Sequence, residues 1–205
     1  MNEQRGFTII ELMTVVALMA LLVTIGIPNF RTMVANNRVT SQVNLFSSSL
    51  QLARSEAVKS NRRVVVCPST TGTNCTADVD WNVGWISFVD RGDGTTIGTP
   101  NNQVDDNSGG SAADDPCGAT AGDDASDDCI LEYVAGLTPS TMTLKSDASN
   151  DYVFYNGLGA INEAATFVLC DDRGAVSARA VFVENTGRVS IRTTKTDGNA
   201  LTCTP

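Results

Sequence analysis

From Phe7 to Ile27 the chain is apolar at nearly every position, with Glu11 as its one charged residue. As a helix, these 21 residues cover roughly 31 Å at about 1.5 Å per residue. That length matches the hydrocarbon core of a bilayer, about 30 Å thick. Between Arg31 and Ser60 the pattern changes. Val39, Val43, Phe46, Leu50, Ala53 and Ala57 recur at steps of three and four, which predicts an amphipathic helix continuing the first segment. Arg38, Gln42, Ser49, Arg54 and Lys59 are assigned to its wet side, Leu45 and Leu52 widen the apolar stripe, and Pro28 marks a bend. Beyond Asn61 the period falls to two and the residues become β-branched and aromatic. Strands are predicted at 64–67, 85–89, 131–134, 142–144, 152–155, 166–170, 178–183 and 188–193, with a turn at Glu184-Asn185-Thr186-Gly187 between the last two. Trp81 and Trp85 are expected in the core or at a sheet edge.

A carboxylate inside a span costs about 2.5–3.5 kcal/mol when central and less near an end, so Glu11 is a functional candidate. Gly26-Ile27-Pro28-Asn29-Phe30 fits a secretory cleavage site poorly, and removal of the whole apolar segment is not expected. Gly6-Phe7-Thr8-Ile9-Ile10-Glu11-Leu12 resembles the leader junction of type IV pilins and type II secretion pseudopilins. The resemblance implies cleavage after Gly6 by a prepilin peptidase, methylation of the new amine on Phe7, and Glu11 as an assembly residue. Pro28 then occupies the place where that family often bends its helix. Phe7 and Glu11 are four apart and share a helix face. In hydrocarbon, an ion pair between one subunit's amine and a neighbour's Glu11 would offset the burial of both charges, and breaking one partner of such a pair costs about 3–5 kcal/mol.

The resemblance narrows further along the chain. Arg54-Ser55-Glu56-Ala57-Val58, a following strand, and Trp81-Asn82-Val83-Gly84-Trp85-Ile86-Ser87-Phe88-Val89-Asp90 are similar to FimT/FimU minor pilins and GspH-type pseudopilins. The implied fold class is α+β, a long N-terminal helix packed on an antiparallel β-sheet head. The implied organisation is a leader at 1–6, a transmembrane and assembly helix at 7–28, an amphipathic helix at 29–61, and a periplasmic β-rich head at 62–205. Residues 92–129 depart from the family's compact form: they are rich in Gly, Asn, Ser and Asp, carry nine acids, and read as an insertion loop.

Charge and cysteine usage sharpen this reading. The net charge of −9 divides into +4 over residues 1–66 and −13 over residues 67–205. An acidic domain lacks the basic patch that phosphate binding needs, so DNA is not an expected partner. There is no histidine, and no nucleophile elbow, metal-protease or phosphate-loop motif; enzyme activity, a resident metal and a cofactor are not expected. Asp90 and Asp93 in D-R-G-D-G supply clustered oxygens of the kind calcium prefers, but EF-hand spacing is absent and a solvated turn is the reading. Cys67, Cys75, Cys117, Cys129, Cys170 and Cys203 all lie beyond the span. An even count confined to one side points to disulfides in an oxidising compartment, and the entropy of short loops favours pairing in chain order. The expected location is therefore the inner membrane, crossed once, with the C-terminal domain in the periplasm.

The function implied is a minor type IV pilin that helps start or cap a filament at its tip. A GspH-type pseudopilin of type II secretion is the alternative. The expected partners are a prepilin peptidase, other pilins or pseudopilins, and an inner-membrane assembly platform. A third alternative is DNA uptake: some FimT-type pilins carry a G-R-x-R motif, and here Gly187-Arg188-Val189-Ser190 has serine at the second arginine's place, with Arg188 and Arg192 on one strand face.

Overall fold

The computed structural model describes residues 7–77, 79–90, 128–138, 140–147 and 151–203. Helix α1 spans Ile9–Ser60. Eight strands follow: β1 (Arg63–Pro68), β2 (Gly84–Asp90), β3 (Cys129–Ala135), β4 (Thr143–Ser146), β5 (Val153–Tyr155), β6 (Ala165–Cys170), β7 (Arg179–Val183) and β8 (Val189–Arg192). Each overlaps a predicted strand, with β4 running two residues beyond the predicted 142–144. They form two antiparallel four-stranded sheets, in orders β3-β2-β1-β5 and β4-β6-β7-β8, where the sequence pointed only to an antiparallel sheet. By contacts the chain divides into a unit at 1–38 and a unit at 39–205.

Within the second unit, the helix stripe is the spine of the core. Val39, Val43, Phe46, Leu50, Ala53 and Ala57 are all buried, together with Val64, Val66, Trp85 and Val89 of the first sheet and Leu144, Phe167, Leu169 and Val181 of the second. Phe46 makes edge contacts with Trp81, Trp85 and Phe167 at centroid distances of 5.5, 5.0 and 4.7 Å. Both tryptophans are core residues.

Ser49 does not take the wet side. It is fully buried between the stripe positions Phe46 and Ala53, and its hydroxyl donates to the carbonyl of Leu45. A small hydroxyl that bonds one turn back can be buried without an orphaned donor. Arg54 is half-buried, donating from Nε to the Gly159 carbonyl and from Nη2 to the Thr186 carbonyl.

The helix stops at Asn61, which adopts φ 51°, and the N–H of Arg62 reaches back to the carbonyl of Ala57. This is the six-to-one closure that satisfies an otherwise orphaned helix carbonyl, with asparagine in the left-handed position often taken by glycine. Two residues later β1 begins.

Each sheet also buries part of its other face. On the first, Val65, Cys67, Ile86 and Phe88 form a small cluster. At its margin Arg63 pairs with Asp90 across the strands, Nε to Oδ2 3.6 Å, and lies 3.6 Å over the ring of Phe154. Burial lowers the Arg63 pKa while the charge of Asp90 opposes that shift. On the second sheet, Ala180 and Phe182 pack with Leu201 of the C-terminal tail. Disulfides Cys67–Cys75 and Cys170–Cys203 close loops of 8 and 33 residues over these two faces. Cys129 is also disulfide-bonded; Cys117 lies outside the described residues.

Loop length sets the expected cost of opening these two bridges. In the chain-entropy account, replacing Cys170 and Cys203 by Ser costs about 3.5–4 kcal/mol, and replacing Cys67 and Cys75 costs about 2.5 kcal/mol. Guanidinium midpoints of the two double variants will rank in that order.

Tyr155 generates a pH prediction. Its hydroxyl is buried without a hydrogen-bond partner, and burial pushes its pKa well above the ordinary value. The folded state then keeps a proton that the unfolded chain releases above pH about 10, so stability falls as pH rises past that point. Tyr155→Phe will change stability by less than about 1 kcal/mol at pH 8 and will remove this alkaline slope, as read from denaturation midpoints at pH 8 and 10.5.

Candidate functional site

Within the first unit, residues 7–27 are built almost wholly from apolar side chains, and these are exposed. Phe7 is 85% exposed, and from Ile9 to Ile27 every large hydrophobic side chain is exposed. Among the described residues, α1 is long and apolar enough to cross a membrane. Threonines bend their hydroxyls back to the backbone, Thr14 to the Glu11 carbonyl and Thr24 to the Leu21 carbonyl, so these positions add little polarity.

Glu11 sits in the first turn of this helix. Thr8 precedes α1 as its N-cap, and its Oγ1 accepts the backbone N–H of Glu11 at 3.2 Å. The Leu12 N–H donates to the Thr8 carbonyl. Thr8-x-x-Glu11 has the spacing of a capping box, a sequence signal for the helix start that the apolar run obscures. The negative side chain also faces the positive end of the helix dipole. Among the described residues the Glu11 carboxylate has no ion pair. Gly6 lies outside the described residues.

Helix α1 runs on through Pro28. Proline has no N–H to give to the carbonyl four residues back, and its neighbours bond locally: Asn29 Nδ2 donates to the Ile25 carbonyl and Thr32 Oγ1 to the Pro28 carbonyl.

Arg188 and Arg192 flank β8 at opposite ends, both exposed. The Arg192 guanidinium lies 5.4 Å from the Phe182 ring centroid. Gly187, the glycine before Arg188, is buried at φ 75°, where an added Cβ would overlap the Gly159 carbonyl that Arg54 binds. The glycine therefore has a packing reason that does not involve nucleic acid. No sequence signal marked Arg54 for this role, because its two acceptors are 105 and 132 residues away.

A family model for the type II transport protein GspH matches residues 42–187. The chain belongs to the GspH family. A second model, the prokaryotic N-terminal methylation motif, matches residues 1–27 of this GspH-family protein. Its sequence is 27% identical to a type IV major alpha-pilin of Moraxella bovis over 116 residues, 51% of this chain and 73% of that pilin. A fimbrial protein of Pseudomonas aeruginosa is 38% identical over 65 residues, 32% of this chain and 42% of the relative, so the chain spans less than half of that protein's length. The crystal structure of the Pseudomonas aeruginosa type IV minor pilin FimU aligns with a TM-score of 0.52 at 19% identity, covering 83% of this chain and 98% of FimU. At that identity the likeness is one of fold, the α+β pilin-like fold of one long N-terminal helix with antiparallel sheets. The GspH-family protein is thus minor-pilin or pseudopilin-like, with a membrane-anchoring helix, and pilin-family proteins are structural subunits that assemble with one another.

The arrangement around Gly187 yields a test. Gly187→Ala adds left-handed strain of about 1–2 kcal/mol and displaces the Gly159 carbonyl, for a total loss near 2 kcal/mol or more. Arg188→Ala, at the exposed neighbour, will leave the thermal midpoint within about 1 °C of the parent.

Proposed function

We propose that the chain is a minor pilin subunit that helps initiate or cap a type IV filament at its tip. It is held before assembly as a single-pass protein of the inner membrane with its head in the periplasm. The observation that carries this reading is one helix with two opposite burial regimes. Its N-terminal half exposes apolar side chains around an unpaired Glu11, and its C-terminal half buries one stripe in a sheet core. The first half suits lipid and then a bundle of like helices; the second fixes a head to that bundle. A prepilin peptidase would cut after Gly6, Phe7 would receive the methyl group, and Pro28 is where the helix would bend. Assembly then pairs a Phe7 amine with a neighbour's Glu11 on an inner-membrane assembly platform.

A GspH-type pseudopilin of a type II secretion system is the second reading, favoured by the family model over residues 42–187. Both readings use the same N-terminal chemistry and differ in the filament joined.

The test separates processing from assembly. Gly6→Ala will leave the precursor uncut, seen as retention of residues 1–6 and absence of the methyl group by intact mass. Glu11→Gln will be cut normally and will reach the membrane at parental level or above, since less charge enters lipid. Its recovery in sheared filaments will fall at least tenfold, because a buried amine loses its counter-charge. Glu11→Asp will fall between the two. Parental filament recovery for the Gln variant would refute the pairing mechanism.

A further inference from the structure

The turn after β5 carries a reactive dipeptide that the assembly reading does not use. Asn156-Gly157 opens the turn between Tyr155 and Ile161, which face each other as a bridge. No other asparagine in the chain precedes a glycine. In such a pair the glycine's backbone nitrogen is held covalently within reach of the asparagine's side-chain amide carbon, so attack is intramolecular. Glycine has no Cβ to obstruct that approach.

The loop supplies the remaining requirements. Asn156 is exposed and Gly157 is half-buried, so water reaches the pair. Asn156 Oδ1 accepts the backbone N–H groups of Leu158 and Ala160, at 3.0 and 3.1 Å. Two donors aimed at one amide oxygen stabilise negative charge as it develops there. Among the described residues, neither Asn156 Nδ2 nor the Gly157 N–H makes a hydrogen bond, so leaving group and nucleophile are both uncommitted. Asn162, nearby in the chain, differs on each count: its Oδ1 accepts one side-chain-directed N–H, from Phe154, and Glu163 follows it.

We propose that Asn156 is a self-modification site, at which the chain converts its own asparagine to aspartate and isoaspartate through a succinimide. Hydroxide takes the Gly157 N–H proton, and the amide nitrogen bonds to Asn156 Cγ while the carbonyl electron pair moves to Oδ1. Collapse of this intermediate breaks the Cγ–Nδ2 bond, and Nδ2 takes a proton from water and leaves as ammonia. Water then opens the five-membered ring. Addition at Cγ restores the original backbone with aspartate in place. Addition at the backbone carbonyl carbon of residue 156 leaves the main chain running through Cγ, as isoaspartate. Water is the co-reactant throughout, and nothing is oxidised or reduced.

The two products leave different loops. Aspartate keeps the acceptor for both N–H groups and strengthens it with a charge. Isoaspartate adds a carbon to the main chain and displaces the Asn156 carbonyl, which accepts the Gly159 N–H at 2.8 Å. The Gly159 carbonyl is in turn an acceptor for Arg54, so this product loosens the tie between the loop and α1.

The test incubates the full chain in detergent, in heavy-oxygen water at mildly alkaline pH, with and without guanidinium. Residues 146–173, the tryptic peptide between Lys145 and Arg173, are then sequenced by mass spectrometry after reduction. Asn156 will take up heavy oxygen as a mixture of aspartate and isoaspartate, at a native rate no more than tenfold below that of the denatured chain. Asn162 in the same peptide will convert at least tenfold more slowly, and the Asn156 rate will rise with hydroxide concentration. Asn156→Asp will melt within about 2 °C of the parent, whereas the isoaspartate form will melt lower. A native rate more than tenfold below the denatured one, conversion of Asn162 as fast as Asn156, or aspartate formed without isoaspartate would overturn the proposal.

Discussion

Everything in the head turns on the seating of Phe46. This one helical side chain meets a ring from the first sheet, a ring from the second, and Trp81 from the turn before β2, all edge-on. Trp81 and Phe167 also touch each other, with centroids 4.9 Å apart. Such contacts add about 0.5–1.5 kcal/mol each beyond the area they bury, but their geometric effect matters more. A sheet of this size needs a covered apolar face, and here two four-stranded sheets share one cover. Remove the helix and both sheets lose the same wall. Small residues complete the arrangement: Ala53 and Ala57, fully buried, let the last turns of α1 come close to the strands.

That constraint explains why α1 can do two jobs. Its later half is specified by what it packs against, so the 3–4 spacing is strict and side chains off the stripe stay wet or bond to backbone. In the earlier half the large hydrophobic side chains from Phe7 to Ile27 are exposed among the described residues, and they are apolar on every side, as a helix surrounded by lipid or like helices requires. A charge is informative only in the second setting. On the wet face of an amphipathic helix Glu56 pairs locally with Lys59 and means little, whereas Glu11 in an apolar helix has no local answer. The Thr8 cap and the helix dipole make the position tolerable for a lone subunit. They supply no counter-ion, which is what the proposed pairing with a neighbour's amine would provide.

Much of this architecture was legible because it rests on local periodicity. The six stripe residues are all buried, the eight β segments all form, and both tryptophans lie in the core. What stayed hidden depends on residues far apart in the chain. Nothing in the alternation of β4 or β5 says that β4 joins β6 while β5 returns to pair with β1, so the division into two sheets was invisible. Polarity alone places Ser49 on the wet side, but it lies three residues after Phe46 and four before Ala53, on the edge of the buried stripe, and is buried there. At the N-terminus the sequence showed Glu11 and the apolar run around it, but a partner for that charge cannot be read from one chain. A cavity between the C-terminal tail and the second sheet is equally hidden in the sequence, since β4, β6, β7 and the tail that line it are far apart in the chain.

The stretch Gly187-Arg188-Val189-Ser190 shows how a motif fragment can persist for structural reasons. Its glycine is required because Arg54 gathers the Gly159 and Thr186 carbonyls at one point, leaving no room for a Cβ. The Arg54 guanidinium satisfies two loop carbonyls that would otherwise depend on water, and it does so from the helix that organises the core. The turn before β8 is thereby fixed to α1, and the register of β8 on β7, Val183 opposite Val189, follows from that turn. Arg192, three residues farther along β8, is placed over Phe182 by the same register. The arginines flanking this strand thus owe their positions to packing on α1. Any charge recognition they take part in is built on a frame that Arg54 sets.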